Sequence, residues 1–245
     1  MNISGSVALV TGSNRGIGRC LVKALVDQGA KKVYASARDA STVEDLESLY
    51  PGVVQGIGLD VTEASSVAEA ALNCNDVDIL INNAGVNRTR GLIAANDLKG
   101  AREEMETNYF GTLTMCRAFA PVLKVNGGGC IVNMLSILSR VALPLMGSLC
   151  ASKAAALRLT EGVRAELNAQ NTLVTAVMPG AVDTDMSKDF PPPKMAPEEV
   201  AEAVLAAIKE GAEETYPGDM ASGLCQGLAN DPKGVEKELA GYLPA

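Results

Sequence analysis

Three glycines within seven residues, Gly12, Gly16 and Gly18, separate a β-rich run, Val7–Val10, from a helical run, Ile17–Gln28. A glycine-rich turn from strand into helix lets the backbone approach a pyrophosphate, which then sits on the unpaired amides of the helix N-terminus. The turn carries this meaning only inside a βαβ unit, and the following sequence supplies one. Lys32–Ser36 reads as a strand and Val43–Ser48 as a helix; Val53–Leu59 and Ala64–Leu72 repeat the pair, and Ile79–Asn82 is the next strand. Parallel strands require crossovers, so this alternation implies a parallel sheet with helices on both faces. A long helix over Leu98–Asn126, a strand at Cys130–Met134, a second long helix over Ser148–Gln170 and a strand at Leu173–Val177 continue the pattern. With 245 residues and no dividing linker, one doubly wound α/β domain of about seven strands is predicted. Within it, residues 183–196, rich in proline and polar side chains, are expected to form a mobile segment capping the substrate, before a helix with proline at its start, Pro197–Glu210.

Composition narrows the chemistry. The net charge of −8 leaves no electrostatic footprint for nucleic acid. The chain has no histidine, which removes imidazole bases and His-containing metal sites, so any acid or base is Asp, Glu, Lys, Tyr or Cys and no metal is expected. Its six cysteines are scattered singly, the pattern of reduced thiols in a cytoplasmic protein. No secretion signal and no run of about 18 apolar residues is present, so no membrane association is expected.

The motif Thr11-Gly12-Ser13-Asn14-Arg15-Gly16-Ile17-Gly18 resembles the phosphate loop of the short-chain dehydrogenase/reductase family, and further family motifs follow in order over almost the whole chain. They are Asp60-Val61, Asn82-Asn83-Ala84-Gly85, Asn108, Ser136, Lys153, and Pro179-Gly180 with Val182 and Thr184 beyond. The resemblance implies a dinucleotide held by the glycine loop. Asp60, with Val61 beside it, would meet the adenine, Asn83, Ala84 and Gly85 would line the adenosine side, and the Pro179–Thr184 stretch would hold the nicotinamide carboxamide. Cofactor choice follows from charge. An NAD-preferring fold offers a carboxylate at the end of the second strand for the ribose 2′-hydroxyl. Here that place holds Ala37, while Arg38 and Arg15 would form a two-cation clamp on a 2′-phosphate, so NADP(H) is expected.

Family catalysis uses a Tyr as proton donor, a Lys four residues on that lowers its pKa and holds the nicotinamide ribose, a Ser that orients the carbonyl, and an Asn that supports a water relay. Lys153, Ser136 and Asn108 occupy three of those places, and the fourth is Leu149. Leucine has no ionisable proton, and loss of a positioned donor costs roughly 10²- to 10⁴-fold in rate. Ketone reduction is therefore expected to be impaired. Three accounts stay open: an altered variant in which Leu replaces Tyr, a natural member whose substrate needs no proton at that point, such as an iminium ion or a conjugated double bond, and a non-catalytic NADP-binding protein. Ser148, Cys150, Tyr109 and Tyr216 are imperfect substitutes. Leu135, Ile137, Leu138, Val141, Leu143, Leu145, Met146 and Leu149, with Met186 and Phe190, suggest an apolar pocket for a small carbonyl, imine or alcohol, about half of them packing the core instead. Ser136, Leu149 and Met186 are the expected substrate contacts. The resemblance also implies a homotetramer built on the two long helices.

Overall fold

A computed structural model describes residues 1–244. The first half comprises β1 (Val7–Val10), α1 (Gly16–Asp27), β2 (Lys32–Ala37), α2 (Glu44–Leu49), β3 (Val54–Gly58), α3 (Ala64–Asn73), β4 (Ile79–Asn82), α4 (Lys99–Met105) and α5 (Thr112–Val125). The second comprises β5 (Gly129–Met134), α6 (Gly147–Leu167), β6 (Thr172–Val177), α7 (Pro197–Glu210), β7 (Glu214–Thr215), α8 (Gly218–Asn230) and α9 (Pro232–Leu239). The strands pair in the order β3-β2-β1-β4-β5-β6-β7, all parallel. This is the Rossmann-like doubly wound fold predicted from the alternation.

Strands buried on both faces read as continuous apolar runs, and β1 divides its side chains accordingly. Ala8 and Val10 enter a core with Leu21, Val22 and Leu25 of α1 and Val200, Val204 and Ile208 of α7. Val7 and Leu9 face the opposite core, with Val67 of α3, Met115, Phe119 and Leu123 of α5, and Leu159 and Leu167 of α6. The chain steps outward from β1 to β3, then crosses back to β4. The crevice where the winding reverses, at the carboxyl ends of β1 and β4, is where open α/β sheets bind ligands.

The helix predicted over 98–126 is interrupted. A π-turn, Glu106–Gly111, joins α4 to α5. It inserts backbone without breaking the helical repeat, so apolar spacing does not reveal it. Two helices and an edge strand escaped the sequence reading. In α8 three glycines dilute the apolar pattern and only Ala221 is buried; in α9 only Val235 is; β7 has two residues. The segment after β6 is tied at its base, where Asp183 N–H donates to Met195 O (2.8 Å) and Met195 N–H to Ala181 O (2.9 Å).

Candidate active site

The glycine loop is stitched to the turn after β4. Thr11 Oγ1 accepts from the backbone N–H groups of Asn83 and Ala84, each at 2.9 Å, while Asn83 Nδ2 donates to the carbonyls of Thr11 (2.9 Å) and Gly12 (3.0 Å). Gly12 has φ +66°, and a Cβ there would lie 3.1 Å from Ala84 Cα. A Cβ on Gly18 would run into the Gly12 carbonyl and Asn83 Nδ2. These glycines therefore allow strand, loop and helix to close on one another. Arg15, extended at φ −160°, precedes α1 and makes no side-chain cap, so the first-turn amides of Gly16, Ile17 and Gly18 face the crevice without a capping side chain. Two backbone glycines in a cradle and open amides at a helix N-terminus fit a pyrophosphate.

Other expected cofactor residues take different places around this cradle. Ser13 is fully buried and turned inward: its hydroxyl donates to Val10 O (2.7 Å) and its N–H to Ser36 O (2.8 Å). Asn14 is exposed beside it. Arg38 is exposed at the end of β2 and, among the described residues, has no ion pair, whereas Arg15 Nη1 lies 3.2 Å from Asp185 Oδ2. Asp60 Oδ1 accepts from Thr62 N–H (2.9 Å) and Thr62 Oγ1 (2.7 Å), and Val61 packs beside Gly111 of the π-turn. Pro179 O accepts from Ile137 N–H (3.0 Å), Val182 is buried, and Thr184 lies over Gly16, where a Cβ would meet its Cγ2 at 3.2 Å.

Lys153 on α6 points to the end of β5, where its Nζ donates to Met134 O (2.8 Å), and a Cβ on Gly85 would lie 3.6 Å from that Nζ. The residue keeps some surface, but its ammonium lies deep, and this desolvation pushes its pKa down from 10.5 to about 8. No charged neighbour contributes. Asn108, in the π-turn, is buried and its amide is fully engaged: Oδ1 accepts from Val86 N–H (2.9 Å), and Nδ2 donates to Val86 O (3.0 Å) and Ser152 Oγ (2.9 Å). Its side chain thus fixes the turn after β4 against α6. Ser136 follows β5, half-buried, and its Oγ accepts from Leu138 N–H (3.1 Å).

Leu149 is buried one helical turn before Lys153, clustered with Met146, Cys150, Leu138, Leu143, Leu145 and Phe190. Phe190 packs against this cluster, whereas Met186 is 50% exposed and not among its members. Leu135 packs instead into a separate core with Ala156, Leu157, Ala176 and Met178. Of the substitutes, Ser148 keeps a buried Oγ with no hydrogen-bond partner among the described residues. The Cys150 thiol is buried against Leu143, and burial raises its pKa. Tyr216 donates to Glu214 Oε2 (2.6 Å) under Arg140, and burial followed by that bond pushes its pKa up. Tyr109 packs edge-on to Phe110 beside the α5 core.

Three contributors to the site carried little sequence signal. Ser152 acts through a buried hydroxyl. Met220 of α8 covers the turn after β6, its Sδ accepting from Ala181 N–H (3.4 Å). The C-terminal stretch crosses the rim: Tyr242 O accepts from Leu145 N–H (3.0 Å), and a Cβ on Gly91 would lie 2.6 Å from Pro244 Cγ. Among the described residues no group of His, Cys, Asp or Glu has the geometry of a metal site.

Comparison with known proteins agrees with this architecture. Residues 6–194 match the short chain dehydrogenase family. The chain is 36% identical over 199 residues to the short chain dehydrogenase citE of Monascus ruber, covering 76% of this chain and 68% of that protein. It is 31% identical over 193 residues to the 3-oxoacyl-[acyl-carrier-protein] reductase FabG of Vibrio harveyi, covering 77% and 78% respectively. A crystal structure of a short chain dehydrogenase from Burkholderia cenocepacia in complex with NADP superposes with a TM-score of 0.93 at 51% identity, over 98% of this chain and 99% of that one. A glycine cradle at the winding reversal, a buried lysine at the end of the fifth strand and matches that span both place the chain in the short-chain dehydrogenase/reductase family, as an oxidoreductase.

Proposed function

We propose that the protein transfers hydride between NADP(H) and a small apolar substrate, a ketone or alcohol or a related C=N or C=C compound. The observation that carries the cofactor choice is the pair of exposed guanidinium groups, Arg15 and Arg38, with Ala37 where an NAD-preferring site has a carboxylate. The NADP complex of the Burkholderia cenocepacia relative supports it. When bound, the nicotinamide supplies or accepts the hydride. Lys153 would hold its ribose, Ser136 would orient the acceptor, and Asn108 would keep the turn after β4 at the right height above α6. Leu149 offers no proton at the position where the family resemblance places a tyrosine, so we read the chain either as a variant with Leu in place of Tyr or as a reductase for substrates that need no proton there. Leu149 also favours a second reading, a non-catalytic NADP-binding protein.

Fluorescence titration should show NADPH binding more tightly than NADH, and Arg38→Asp should lower NADPH affinity roughly tenfold or more, the scale of a charge-assisted hydrogen bond. Equal affinities would remove the clamp. A panel of ketones, cyclic imines and enones with NADPH then separates the readings: imine or enone turnover without ketone turnover supports proton-independent reduction, and no turnover of any kind supports the binding-only protein.

Assembly into a homotetramer through the long helices is part of the proposal. It is supported by apolar side chains exposed along the first of them, Leu98 at 64%, Phe110 at 47% and Val125 at 86%. Light scattering at micromolar concentration should give four times the chain mass; a monomer would end this part. We place the protein in the cytoplasm, supported by its six free cysteines. Among the described residues no helix is long and apolar enough to cross a membrane.

A further inference from the structure

The two arginines at the adenosine end differ in one respect. Arg38 has no ion pair among the described residues, and Arg15 Nη1 is held 3.2 Å from Asp185 Oδ2. Asp185 belongs to the first turn after Thr184, in the segment that follows β6, and β6 and β2 lie on opposite sides of β1 and β4 in the sheet, so the pair ties Arg15 to the capping segment and not to the end of β2. We propose that Asp185 is a specificity-determining residue that sets the margin between NADPH and NADH by competing with the cofactor's 2′-phosphate for Arg15. The proposal rests on the reading of Arg15 and Arg38 as the phosphate clamp.

Three observations carry it. First, Asp185 is presented by a turn that does not depend on the Arg15 bond. Ser187 Oγ donates to Val182 O and accepts from Thr184 N–H (3.4 Å), Ser187 N–H donates to Thr184 O (3.0 Å), and Lys194 Nζ lies 3.1 Å from Asp183 Oδ1 and donates to Ser187 O (3.0 Å). Val182 also pairs with Met195 at the base. Second, a Cβ on Gly16 would lie 3.2 Å from Thr184 Cγ2, so the residue before Asp185 sits against the cradle. Third, both partners are about 70% exposed, Arg15 at 68% and Asp185 at 70%, so the pair is weak and exchangeable.

The chemistry then discriminates between the cofactors. A phosphate monoester carries close to two negative charges near neutral pH and accepts bidentate bonds from guanidinium. It therefore displaces one carboxylate, but must break the Arg15–Asp185 pair and leave Asp185 without its cation. The 2′-hydroxyl of NADH makes no such demand and leaves the pair intact. Asp185 thus lowers NADPH affinity and leaves NADH affinity alone.

The test is a set of fluorescence titrations with NADPH and NADH on the full chain as wild type, Asp185→Asn, Arg15→Gln and the double variant. Asp185→Asn keeps the size of the side chain and removes its charge. It should tighten NADPH binding roughly three- to five-fold, the ceiling an exposed ion pair allows, with NADH unchanged. In the Arg15→Gln background the same substitution should change the NADPH constant much less, because its target is gone. Equal changes for both cofactors, or weaker NADPH binding in Asp185→Asn, would overturn the proposal and make Asp185 a brace for the capping turn. If Arg15→Gln leaves the NADPH to NADH ratio at the wild-type value, the clamp itself fails, and the proposal with it. If Arg15→Gln lowers that ratio while Asp185→Asn leaves it unmoved, only the role of Asp185 fails.

Discussion

Leu149→Tyr should create or restore ketone reduction, raising the rate of NADPH oxidation with a suitable ketone by roughly 10²- to 10⁴-fold, the contribution of one positioned proton donor. Leu149 sits on the first turn of α6, four residues before Lys153 and on the same face. A phenol there would point toward the end of β5, where Lys153 Nζ bonds Met134 O and Ser136 follows two residues on. The ammonium favours a phenolate and so brings the proton within reach at neutral pH. The larger ring must fit among Met146, Leu143, Leu145 and Phe190, and overpacking costs about 1–3 kcal/mol of stability. NADPH affinity should stay near the wild-type value. A variant that binds NADPH normally and reduces no ketone in a broad panel would mean that the pocket serves other chemistry.

Lys153→Met should make the fold more stable at neutral pH, in a way that disappears on the alkaline side. Burial lowers the Lys153 pKa from 10.5 to about 8, so below pH 8 both folded and unfolded chains carry the charge and the whole desolvation penalty bears on the folded state. Between 8 and 10.5 the unfolded chain binds more protons, so wild-type stability rises with pH through that window and the penalty is gone above it. The interval is worth about 3 kcal/mol, and loss of the bond to Met134 O takes back about 1 kcal/mol. The variant is therefore expected to gain about 2 kcal/mol at pH 7, a rise in Tm of roughly 4–8 °C for a chain of this size. Subtracting wild-type from variant melting curves at each pH isolates the effect from other alkaline titrations. A gap that stays constant from pH 7 to 11 would show that the lysine is not charged at a penalty. A higher Tm accompanied by weaker NADPH binding would fit a group placed for ligand binding at the expense of the fold.

Strands were legible wherever both faces are buried. The apolar runs at Val7–Val10 and Ile79–Asn82 have no polar side chain competing for either face except Asn82, and the structure keeps the same bounds. The glycine loop was legible because its backbone demands are local. The site beyond it was legible only as positions. Lys153, Ser136 and the turn after β4 do converge on the end of β5, yet the bonds that hold them run between residues far apart in the chain. Asn108 was placed by its motif, but its engagement by Val86 and Ser152 depends on the π-turn, a one-residue slip that periodicity averages away. Ser13 sits within the motif and still faces inward, because the end of β2 offers it Ser36. The pairing of Arg15 with Asp185 spans 170 residues and no local pattern encodes it.

The stretch from Tyr242 to Pro244 leans on Gly91 and Leu145, and Met220 leans on the turn after β6, while every strand from β1 to β6 is complete by Val177. The rim of the pocket and its floor are thus written in different parts of the chain. From Glu214 onward the chain contributes a two-residue edge strand to the sheet and, among the described residues, no hydrogen bond to the glycine loop. Substitutions at the exposed positions of this stretch leave the strands and the loop beneath untouched. Substitutions at Met220 and Tyr242, both exposed, are therefore expected to change the rim and leave the cradle as it is.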